Sequence, residues 1–556
     1  MPGNARVSAS SAPVDLTESD MSPVQEPSRP LLLVLAGVLV AFLCGCVSLP
    51  PGSDFPRNES HALQHPAATR LGHAFEASSR QQGGKSGFRL QPVGIDGFLA
   101  RMQMTDAAER SVDVQYYIFQ EDDTGKLLTD AILRAADRGV RVRVLLDDVD
   151  VSGRDKQIAT LGGHPRIEIR LFNPFAYRGR NPLLRAIEFT LNAQRLNRRM
   201  HNKLFVVDNA AAIVGGRNIG DEYFQAAARD IEFGDYDVFA AGPIVKQLSG
   251  TFDAYWNSAI AIPLAAFSRD SAAAAWLEEY RAALNEHRSQ MQDTDYVKKL
   301  ATGQPLAGMI SGKVPLVWSE AEVVCDPPEK AVAEDGDATS RPYRAALARA
   351  AEALKSELLI VTPYLVPGKR GLERIRELRS RNVRIQVLTN SFESTDVPLV
   401  HAGYVSYRRP LLENGVELYE VRATLGEPRA SGGSVQSAGS GRFALHAKVF
   451  VFDRRRLYVG SMNFDRRSMR LNTELGLVIE SPDLAQQVAA RFEAIARPAN
   501  SYVVVLREDD AGSRSRVRWV TEQEGRLVEY DKEPRQTSWH AVMIDLLSLL
   551  PLEEQM

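Results

Sequence analysis

The chain has 556 residues, of which 44% are apolar and 25% are charged, so it is long enough for two globular domains plus extensions. These proportions exclude a disordered or fibrous protein. The net charge of −3 provides no overall positive field to attract nucleic acid, although a neutral total is compatible with local basic patches.

The N-terminus has the pattern of an exported lipoprotein. Arg29 precedes the apolar run Leu31 to Leu43, which is short for a membrane span, and a Cys-Gly-Cys sequence follows. This arrangement resembles a bacterial lipobox and predicts a lipid on Cys46; the alternative is an uncleaved membrane anchor. We therefore expect a membrane-anchored lipoprotein of the bacterial cell envelope that faces the periplasm. We expect translation to start at Met21 rather than at Met1.

Changes in composition divide the chain into six predicted segments. These are a signal peptide (1–46), a tether rich in Pro, Ser and Gly (47–90), a first domain (91–258), a helical insertion or linker (259–320), a second domain (321–500) and a C-terminal extension (501–556). Within the extension, Trp539 to Leu552 is apolar enough to lie in a membrane interface or to form a helix packed on the core.

An internal repeat relates the two predicted domains. In the first, the strand-like run 111–120 is followed by a helical stretch and a second strand-like run, 140–148. In the second, 358–366 and 383–390 have the same order. Such βαβ units favour parallel pairing. We therefore predict an α/β fold: two domains of mixed, mostly parallel sheet flanked by helices and related by a pseudo-two-fold axis.

Each domain also contains the same short motif. Residues 200–218 read MHNKLFVVDNAAAIVGGRN and residues 445–463 read LHAKVFVFDRRRLYVGSMN. Alternation along a strand puts the His and the Lys of each copy on one face. An imidazole beside an ammonium group is favourable where an anion lies in front of both, and a phosphate satisfies this, with asparagine amides as further donors.

The duplication fits phosphodiester transfer through a covalent intermediate. That reaction needs a nucleophile on one side of phosphorus and a general acid on the leaving-group side. Two histidines that face each other across a pseudo-two-fold axis supply both. The sequence therefore predicts one shared active site, to which each copy contributes half.

The doubled motif resembles the signature of the phospholipase D superfamily, and the resemblance covers roughly residues 90 to 500. The flanking sequences RLNRRM, GGRNIGDEYF and GSMNFDRRSMRLNTELG are similar to those of the cardiolipin synthase branch, in particular its C-type members. The resemblance implies a phosphatidyl transferase that makes cardiolipin from phosphatidylglycerol and a second phospholipid through a phosphatidyl-histidine, without a metal or other cofactor. It also implies that His201 is the nucleophile and His446 the general acid, although the symmetric pattern itself assigns neither role.

The candidate catalytic residues come from the motifs and their flanks. They are His201, Lys203, Asp208, Asn218, Asp235, His446, Lys448, Asp453, Asn463 and Glu474. Asp235 and Glu474, each about thirty residues after a motif histidine, resemble the acids that orient the histidines in the family. For Asp208 and Asp453 we favour a structural role, in which they pair with the backbone or with a nearby cation.

The expected partners are phospholipids in a membrane, namely phosphatidylglycerol and, as a candidate donor, phosphatidylethanolamine. No nucleic acid is expected, and the oligomeric state is not predicted. Several arginines before the first motif either hold lipid phosphates or form a solvated basic face: Arg178, Arg180, Arg185, Arg195, Arg198 and Arg199. The alternative functions are a hydrolase that releases phosphatidic acid, a phosphodiesterase of nucleic acid and a non-catalytic lipoprotein scaffold. The intact His and Lys of both copies disfavour the scaffold.

Overall fold

A computed structural model describes residues 49–151, 154–226, 231–267, 273–303, 305–333, 341–425, 442–508 and 515–534. The predicted signal peptide, the lipobox Cys46 and the apolar stretch near the C-terminus lie outside these ranges. Within them, every helix is too short or too polar to cross a bilayer.

The first domain is built on a nine-stranded sheet. The strands of the N-terminal half are β1 (Ser86–Gln91), β2 (Ser111–Tyr116), β3 (Arg141–Asp147), β4 (Ile167–Phe172), β5 (Leu204–Val207), β6 (Ala211–Gly215), β7 (Ile231–Gly234), β8 (Asp237–Ala241), β9 (Ala261–Pro263) and β10 (Val317–Ser319). All except β7 form one sheet in the order β10-β1-β8-β6-β5-β2-β3-β4-β9. In it, β3 pairs in parallel with β2 and β4, whereas the other neighbours are antiparallel.

The second domain repeats this arrangement. Its strands are β11 (Ala321–Cys325), β12 (Glu357–Val361), β13 (Arg384–Asn390), β14 (Glu417–Val421), β15 (Arg442–Leu445), β16 (Val449–Phe452), β17 (Arg456–Gly460), β18 (Leu475–Ile479), β19 (Ser501–Glu508), β20 (Ser515–Gln523) and β21 (Arg526–Tyr530). All except β15 form a sheet in the order β11-β18-β17-β16-β12-β13-β14-β19-β20-β21. Seven strands, β1-β8-β6-β5-β2-β3-β4, match β11-β18-β17-β16-β12-β13-β14 position by position.

The predicted mixed α/β fold in two copies is confirmed, but its parallel part is smaller than expected. Parallel pairing is limited to three strands in each sheet, β2–β4 and β12–β14. These strands are joined by crossover helices, which parallel neighbours require. The motif strands instead turn back on themselves as the tight hairpins β5–β6 and β16–β17, and such hairpins are antiparallel.

Helices cover both faces of the sheets. They are α1 (Arg70–Gln81), α2 (Gly94–Ala107), α3 (Asp123–Asp137), α4 (Asp148–Val151), α5 (Asp155–Gly162), α6 (Pro182–Leu191), α7 (Ala193–Leu196), α8 (Asp221–Phe224), α9 (Pro243–Trp256), α10 (Ala273–Met291), α11 (Asp295–Thr302), α12 (Pro305–Ile310), α13 (Arg341–Glu352), α14 (Gly368–Ser380), α15 (Pro398–Glu413), α16 (Arg466–Arg470) and α17 (Pro482–Ala496).

One hydrophobic core joins the two domains. Phe252 and Trp256 of α9, Val488 and Phe492 of α17, and the inward-facing side chains of both sheets all belong to it. Removal of this apolar surface from water stabilises the pairing of the domains. A short parallel pair, β7 with β15, adds backbone hydrogen bonds between them. The domains are therefore fixed against each other.

The structure differs from two of the predicted segment boundaries. Residues 47–90, expected to be a tether, contain α1 and β1, and β1 lies inside the first sheet. The polar composition of this segment conceals a short apolar stripe, because Leu71 and Phe75 lie one turn apart on α1 and are buried. Residues 501–530, expected to be a separate extension, form β19–β21 of the second sheet.

The predicted insertion, residues 259–320, packs on the first domain. Its strands β9 and β10 pair with β4 and β1. Its helices α10 and α12 contribute Leu277, Leu284 and Met309 to the core on the outer face of the sheet. In the structure this segment is thus a layer of the first domain rather than a linker.

Candidate active site

The two motif histidines meet at the interface between the domains. Each lies three residues before the first strand of a hairpin, β5 for His201 and β16 for His446. The backbone N–H of His201 donates to the carbonyl oxygen of Thr473 at 2.9 Å, and that of His446 donates to the carbonyl oxygen of Gly234 at 2.8 Å. The backbone of each histidine is therefore held by the other domain, in reciprocal fashion.

Each histidine is also paired with a carboxylate of the other domain. Nδ1 of His201 lies 3.0 Å from Oε2 of Glu474, and Nδ1 of His446 lies 2.7 Å from Oδ2 of Asp235. Both acids were predicted as candidates, but nothing in the sequence shows that the pairs cross. A Nδ1–H that donates to a carboxylate fixes the tautomer and leaves Nε2 with its lone pair.

Burial favours the neutral form of both imidazoles. The pKa of His201 is lowered to about 4, by burial first and then by the Lys203 ammonium, although Glu474 opposes the shift. Burial, with the charges of Lys448 and Lys203, lowers the pKa of His446 well below its ordinary range. Both rings are therefore neutral at pH 7, and a neutral imidazole can attack phosphorus without prior loss of a proton.

The two carboxylates are unequal. Burial raises the pKa of Asp235, although the Lys448 ammonium opposes this shift. Burial acts in the same direction on Glu474, but the contact with His201 and the charge of Lys203 outweigh it and leave the pKa of Glu474 below its ordinary value.

Within the described ranges, no three His, Cys, Asp or Glu side chains group together as metal ligands do.

Two lysine ammonium groups are buried beside the histidines. Lys203 Nζ donates to the carbonyl oxygen of His201 at 2.7 Å, and Lys448 Nζ lies 2.8 Å from Nδ1 of His446. Burial lowers the pKa of Lys448 to about 8. Burial and the charge of Lys448 lower the pKa of Lys203 well below its ordinary value. Buried like charges repel, so an anion that binds between them, such as a phosphodiester, relieves this repulsion.

The two motif asparagines have different surroundings. The Asn218 amide nitrogen donates to the Tyr223 hydroxyl at 2.9 Å, and its oxygen accepts from the backbone N–H of Ile118 at 3.3 Å. The Asn463 amide oxygen is buried, and no partner for it lies among the described residues. The unpartnered atom of Asn463 is an acceptor, so it can take a hydrogen bond from a ligand hydroxyl, whereas Asn218 is held in place.

The motif aspartates lie at the far end of each hairpin, about 13 Å of strand away from the start of β5 and β16. Asp208 accepts from the backbone N–H groups of Glu109, Arg110 and Ser111. Asp453 accepts from those of Lys355, Ser356 and Glu357. Each carboxylate thus ties its hairpin to the segment that enters β2 or β12, and of the two structural partners considered from the sequence, backbone or cation, these contacts are with the backbone.

Aromatic rings frame both histidines. The ring of Tyr117 lies 5.1 Å from that of His201, and the rings of Tyr223 and Phe233 lie 5.2 and 5.0 Å from that of His446. None of these three residues is among the candidate catalytic residues predicted from the sequence. Their signal is the position of Tyr117 at the end of β2 and the closeness of Tyr223 to the motif.

Two polar residues at equivalent strand ends hold the segments that lead to the histidines, and sequence analysis missed both. Oδ2 of Asp147, at the end of β3, accepts from the backbone N–H of Met200 at 2.8 Å. Oδ1 of Asn390, at the end of β13, accepts from that of Leu445 at 2.8 Å. Their matched positions in the repeat were the available signal.

Three of the arginines before the first motif support the fold rather than face solvent or lipid. Arg195 donates to Oδ1 of Asn173 at 2.6 Å, and Arg199 donates to Oδ1 of Asp147 at 3.1 Å. Arg198 donates to the backbone carbonyl oxygen of Lys330, which follows β11 of the second domain. Neither role predicted for the basic cluster applies to these three residues.

A shared site built from two half-motifs on two copies of one fold defines a class of enzyme. The sequence profile described as "Cardiolipin synthase, PLD-like domain" matches residues 102–256 and 345–496, which span both copies. The chain belongs to this family and is an enzyme of the phospholipase D superfamily, as the motifs predicted.

Two relatives by sequence agree with this membership. The chain is 37% identical over 487 residues to cardiolipin synthase C of Escherichia coli (strain K12), an alignment that covers 87% of this chain and 99% of that protein. It is 27% identical to cardiolipin synthase B of the same strain, over 70% of this chain and 75% of that protein. Among solved structures, the phosphatidylserine synthase of Haemophilus influenzae Rd KW20 aligns with a TM-score of 0.49 and 15% identity, over 77% of this chain and 91% of that one.

Proposed function

We propose that the protein transfers a phosphatidyl group from a phospholipid to the hydroxyl of phosphatidylglycerol and so makes cardiolipin. The observation that carries the proposal is the crossed site: two neutral imidazoles, each paired with a buried carboxylate, beside two buried lysines. This arrangement complements a phosphodiester anion between a nucleophile and a proton donor. Membership of the cardiolipin synthase family supports a phospholipid substrate.

In the first step, Nε2 of His201 attacks phosphorus and a nitrogen–phosphorus bond forms. The bond between phosphorus and the head-group oxygen breaks, and that oxygen takes a proton from His446. Since free His446 is neutral, it must gain this proton as the substrate binds. The phosphodiester anion and Asp235 both favour the imidazolium form.

In the second step, the hydroxyl oxygen of phosphatidylglycerol attacks phosphorus and its proton passes to His446. The nitrogen–phosphorus bond breaks, which releases cardiolipin and restores His201. Throughout, Lys203 and Lys448 stabilise the non-bridging phosphoryl oxygens, together with the amide of Asn463. Asn218 has the same role from the other side, with its side chain oriented by Tyr223.

The nature of the acceptor separates a synthase from a hydrolase. The histidines expose only 7% and 6% of their surface, and this burial favours an alcohol that arrives with lipid over bulk water. A hydrolase that forms the same intermediate and releases phosphatidic acid is the second candidate. We further propose that a lipid on Cys46 anchors the protein to the bacterial envelope with the site facing the periplasm, because the sequence before Cys46 resembles a lipobox.

The test is to incubate the full chain with vesicles of phosphatidylglycerol, with and without phosphatidylethanolamine, and to identify the products by mass spectrometry. We expect cardiolipin, and the released head group, glycerol or ethanolamine, identifies the donor. His201→Asn should abolish the product. His73→Asn, which alters an exposed histidine on α1, should not. Phosphatidic acid as the sole product would assign the hydrolase, and no lipid product would reject the proposal.

A further inference from the structure

Helix α6 presents its apolar side chains to the outside. Leu183, Leu184, Ile187, Phe189 and Leu191 expose 66%, 45%, 47%, 40% and 68% of their surface, and none of the ten residues of the helix is buried. These five side chains account for more than half of the nine large apolar side chains that are exposed in the described ranges. Leu183, Leu184, Ile187 and Leu191 share one face of the helix, whereas Phe189 lies on another side, and a contiguous exposed face of this kind marks an interaction surface.

The polar side chains of α6 face the protein. Arg185 donates to the carbonyl oxygen of Val149 at 2.6 Å. The Glu188 carboxylate accepts from the backbone N–H groups of Ala176 and Tyr177 at 2.6 and 2.8 Å. A helix on the surface of a soluble domain has the opposite arrangement, with its apolar stripe inward. The inverted pattern indicates that an apolar medium covers the outer face of α6.

The helix lies at the same end of the sheet as the catalytic histidines. Arg185 holds α6 to Val149, two residues after the end of β3. At that end, Asp147 accepts a hydrogen bond from Met200, which precedes His201. The apolar face of α6 is thus linked to His201 through two hydrogen bonds, Arg185 to Val149 and Met200 to Asp147.

One exposed cation lies beside α6. Arg180 precedes the helix and is exposed, whereas Arg178 pairs with Asp148 at 2.5 Å, Arg185 is turned toward Val149, and Glu188, the one acid of the helix, is engaged with the backbone. An apolar face next to an exposed arginine suits the surface of an anionic bilayer. In the second copy, the sequence between β14 and the motif is rich in Gly and Ser (426–441) and has no comparable apolar run.

We infer that α6 is an interfacial helix, which inserts its apolar face into a lipid bilayer and holds the catalytic cleft at the level of the head groups. The inference rests on the proposed function in one respect, since a phosphatidyl transferase draws its substrates from a bilayer. A second copy of this chain is another possible cover for the face. The bilayer is favoured because the face adjoins the site that must receive lipid and has the exposed Arg180 just before its first residue.

The experiment measures the insertion of one side chain at a time. Ile187→Trp is prepared in the full chain and mixed with vesicles of phosphatidylglycerol and phosphatidylethanolamine whose acyl chains carry bromine. Ile310→Trp is the matched control, because Ile310 is also an exposed isoleucine of the first domain, on α12, with 38% of its surface exposed. We expect Ile187→Trp to lose at least about half of its added fluorescence, and Ile310→Trp to stay at the level of the parent protein.

Two outcomes of this experiment would contradict the inference about α6. Equal quenching of the two variants would overturn the inference. Blue-shifted emission of Ile187→Trp without vesicles, together with a doubled mass in solution, would also overturn it and would assign the face to a second copy. Quenching needs no turnover, so it is informative even if cardiolipin is never formed.

A kinetic measurement separates docking from chemistry. The double variant Leu183→Gln and Leu191→Gln should lower activity on vesicles at least about tenfold, since two exposed apolar anchors are removed. Its activity on a short-chain, monomeric phosphatidylglycerol should stay within about twofold of the parent protein. Equal losses on both substrates would mean that the helix supports the fold rather than docks on lipid.

Discussion

The two copies of the motif differ at the position after the first glycine, which is Gly216 in one copy and Ser461 in the other. A Cβ atom on Gly216 would lie 2.2 Å from Oδ1 of Asp235, which is too close for any side chain. Ser461 instead donates a hydrogen bond to Oε2 of Glu474. In the first copy, Gly216 leaves room for Asp235, the acid that pairs with His446. In the second copy, the Ser461 hydroxyl contacts Glu474, the acid that pairs with His201. Residue and acid form a matched pair in each copy.

The asparagines and the aromatic rings of the site also differ between the two copies. In the first copy Asn218 is fixed by Tyr223, whereas in the second the Asn463 amide oxygen lacks a partner among the described residues. One aromatic ring contacts His201, and two contact His446. A symmetric frame therefore holds two chemically distinct halves, which suits a reaction in which one histidine attacks and the other moves a proton.

The largest expected effect tests this division of labour. His201→Asn and His446→Asn should each reduce cardiolipin formation at least about 10³-fold, because both groups act in every turnover. With a phosphodiester whose leaving group is nitrophenolate, His446→Asn should recover a burst of nitrophenolate, since such a leaving group needs no proton. His201→Asn should not recover it. The reverse pattern in stopped-flow traces would exchange the two roles.

The crossed acid pairs are the next test. Glu474→Gln and Asp235→Asn should each lower kcat by about 10²–10⁴-fold, because each carboxylate fixes the tautomer of its histidine. Double-mutant cycles should show strong coupling of His201 with Glu474. The His201 and Asp235 substitutions should be closer to additive. Stronger coupling within a domain than between domains would contradict the crossing.

The glycine–serine difference offers a more local test. Gly216→Ser should lower kcat about 10- to 100-fold, because the new Cβ displaces Asp235 and with it His446. Ser461→Gly removes one hydrogen bond to Glu474, and its cost should stay within about tenfold. Both variants should keep the thermal midpoint of the parent protein within a few degrees. A larger loss of kcat for Ser461→Gly than for Gly216→Ser would contradict this prediction. It would mean that Glu474 depends more on the Ser461 hydroxyl than Asp235 depends on the absence of a side chain at Gly216.

The pH dependence of kcat/KM tests the charge states of the free enzyme. Activity should fall as the pH drops through about 4, where the nucleophile His201 becomes protonated. It should also decline toward higher pH, because the reactive complex must take up a proton on His446, whose pKa is lowered well below its ordinary range, and more steeply above about 8, where Lys448 loses its charge. Lys448→Arg should move the alkaline limb upward, because a guanidinium group keeps its proton. Lys246→Arg, at an exposed position on α9, should leave both limbs in place.

The smallest expected effect concerns stability. Asp208→Ala leaves three backbone N–H groups of a partly buried turn without an acceptor and should cost about 1–3 kcal/mol of unfolding free energy. Asp453→Ala should cost less, because Asp453 and its partners are more exposed. Urea unfolding measures both. Hydrogen bonds from the backbone lower the pKa of Asp453 despite its partial burial, so its contribution to stability is present above the unfolded pKa and is lost as pH falls through the folded value.

The sequence predicted the repeat, the motif set and the shared site, because these depend on spacing and on residue type. It did not predict which acid pairs with which histidine, since each acid lies about thirty residues after the histidine of its own motif and the symmetric pattern is compatible with pairing within a domain or between domains. Nor did it predict that Leu71 and Phe75 anchor a helix in an apparent tether, because two buried side chains are a weak periodic signal. The orientation of α6 was also hidden: a run of leucines predicts burial, and only the structure shows that Arg185 and Glu188 take the inner face.

The crossing of the histidine–carboxylate pairs has a consequence for how the molecule is assembled. Because each pair is completed by residues from both halves, neither half acquires catalytic competence as it emerges from the ribosome. The enzyme is inactive until the last strand of the second motif has folded into place. Conversely, any slight separation of the halves breaks both pairs at once, so that loss of activity on heating should precede loss of secondary structure. Catalytic activity is therefore a sensitive measure of whether the two domains are correctly packed against each other.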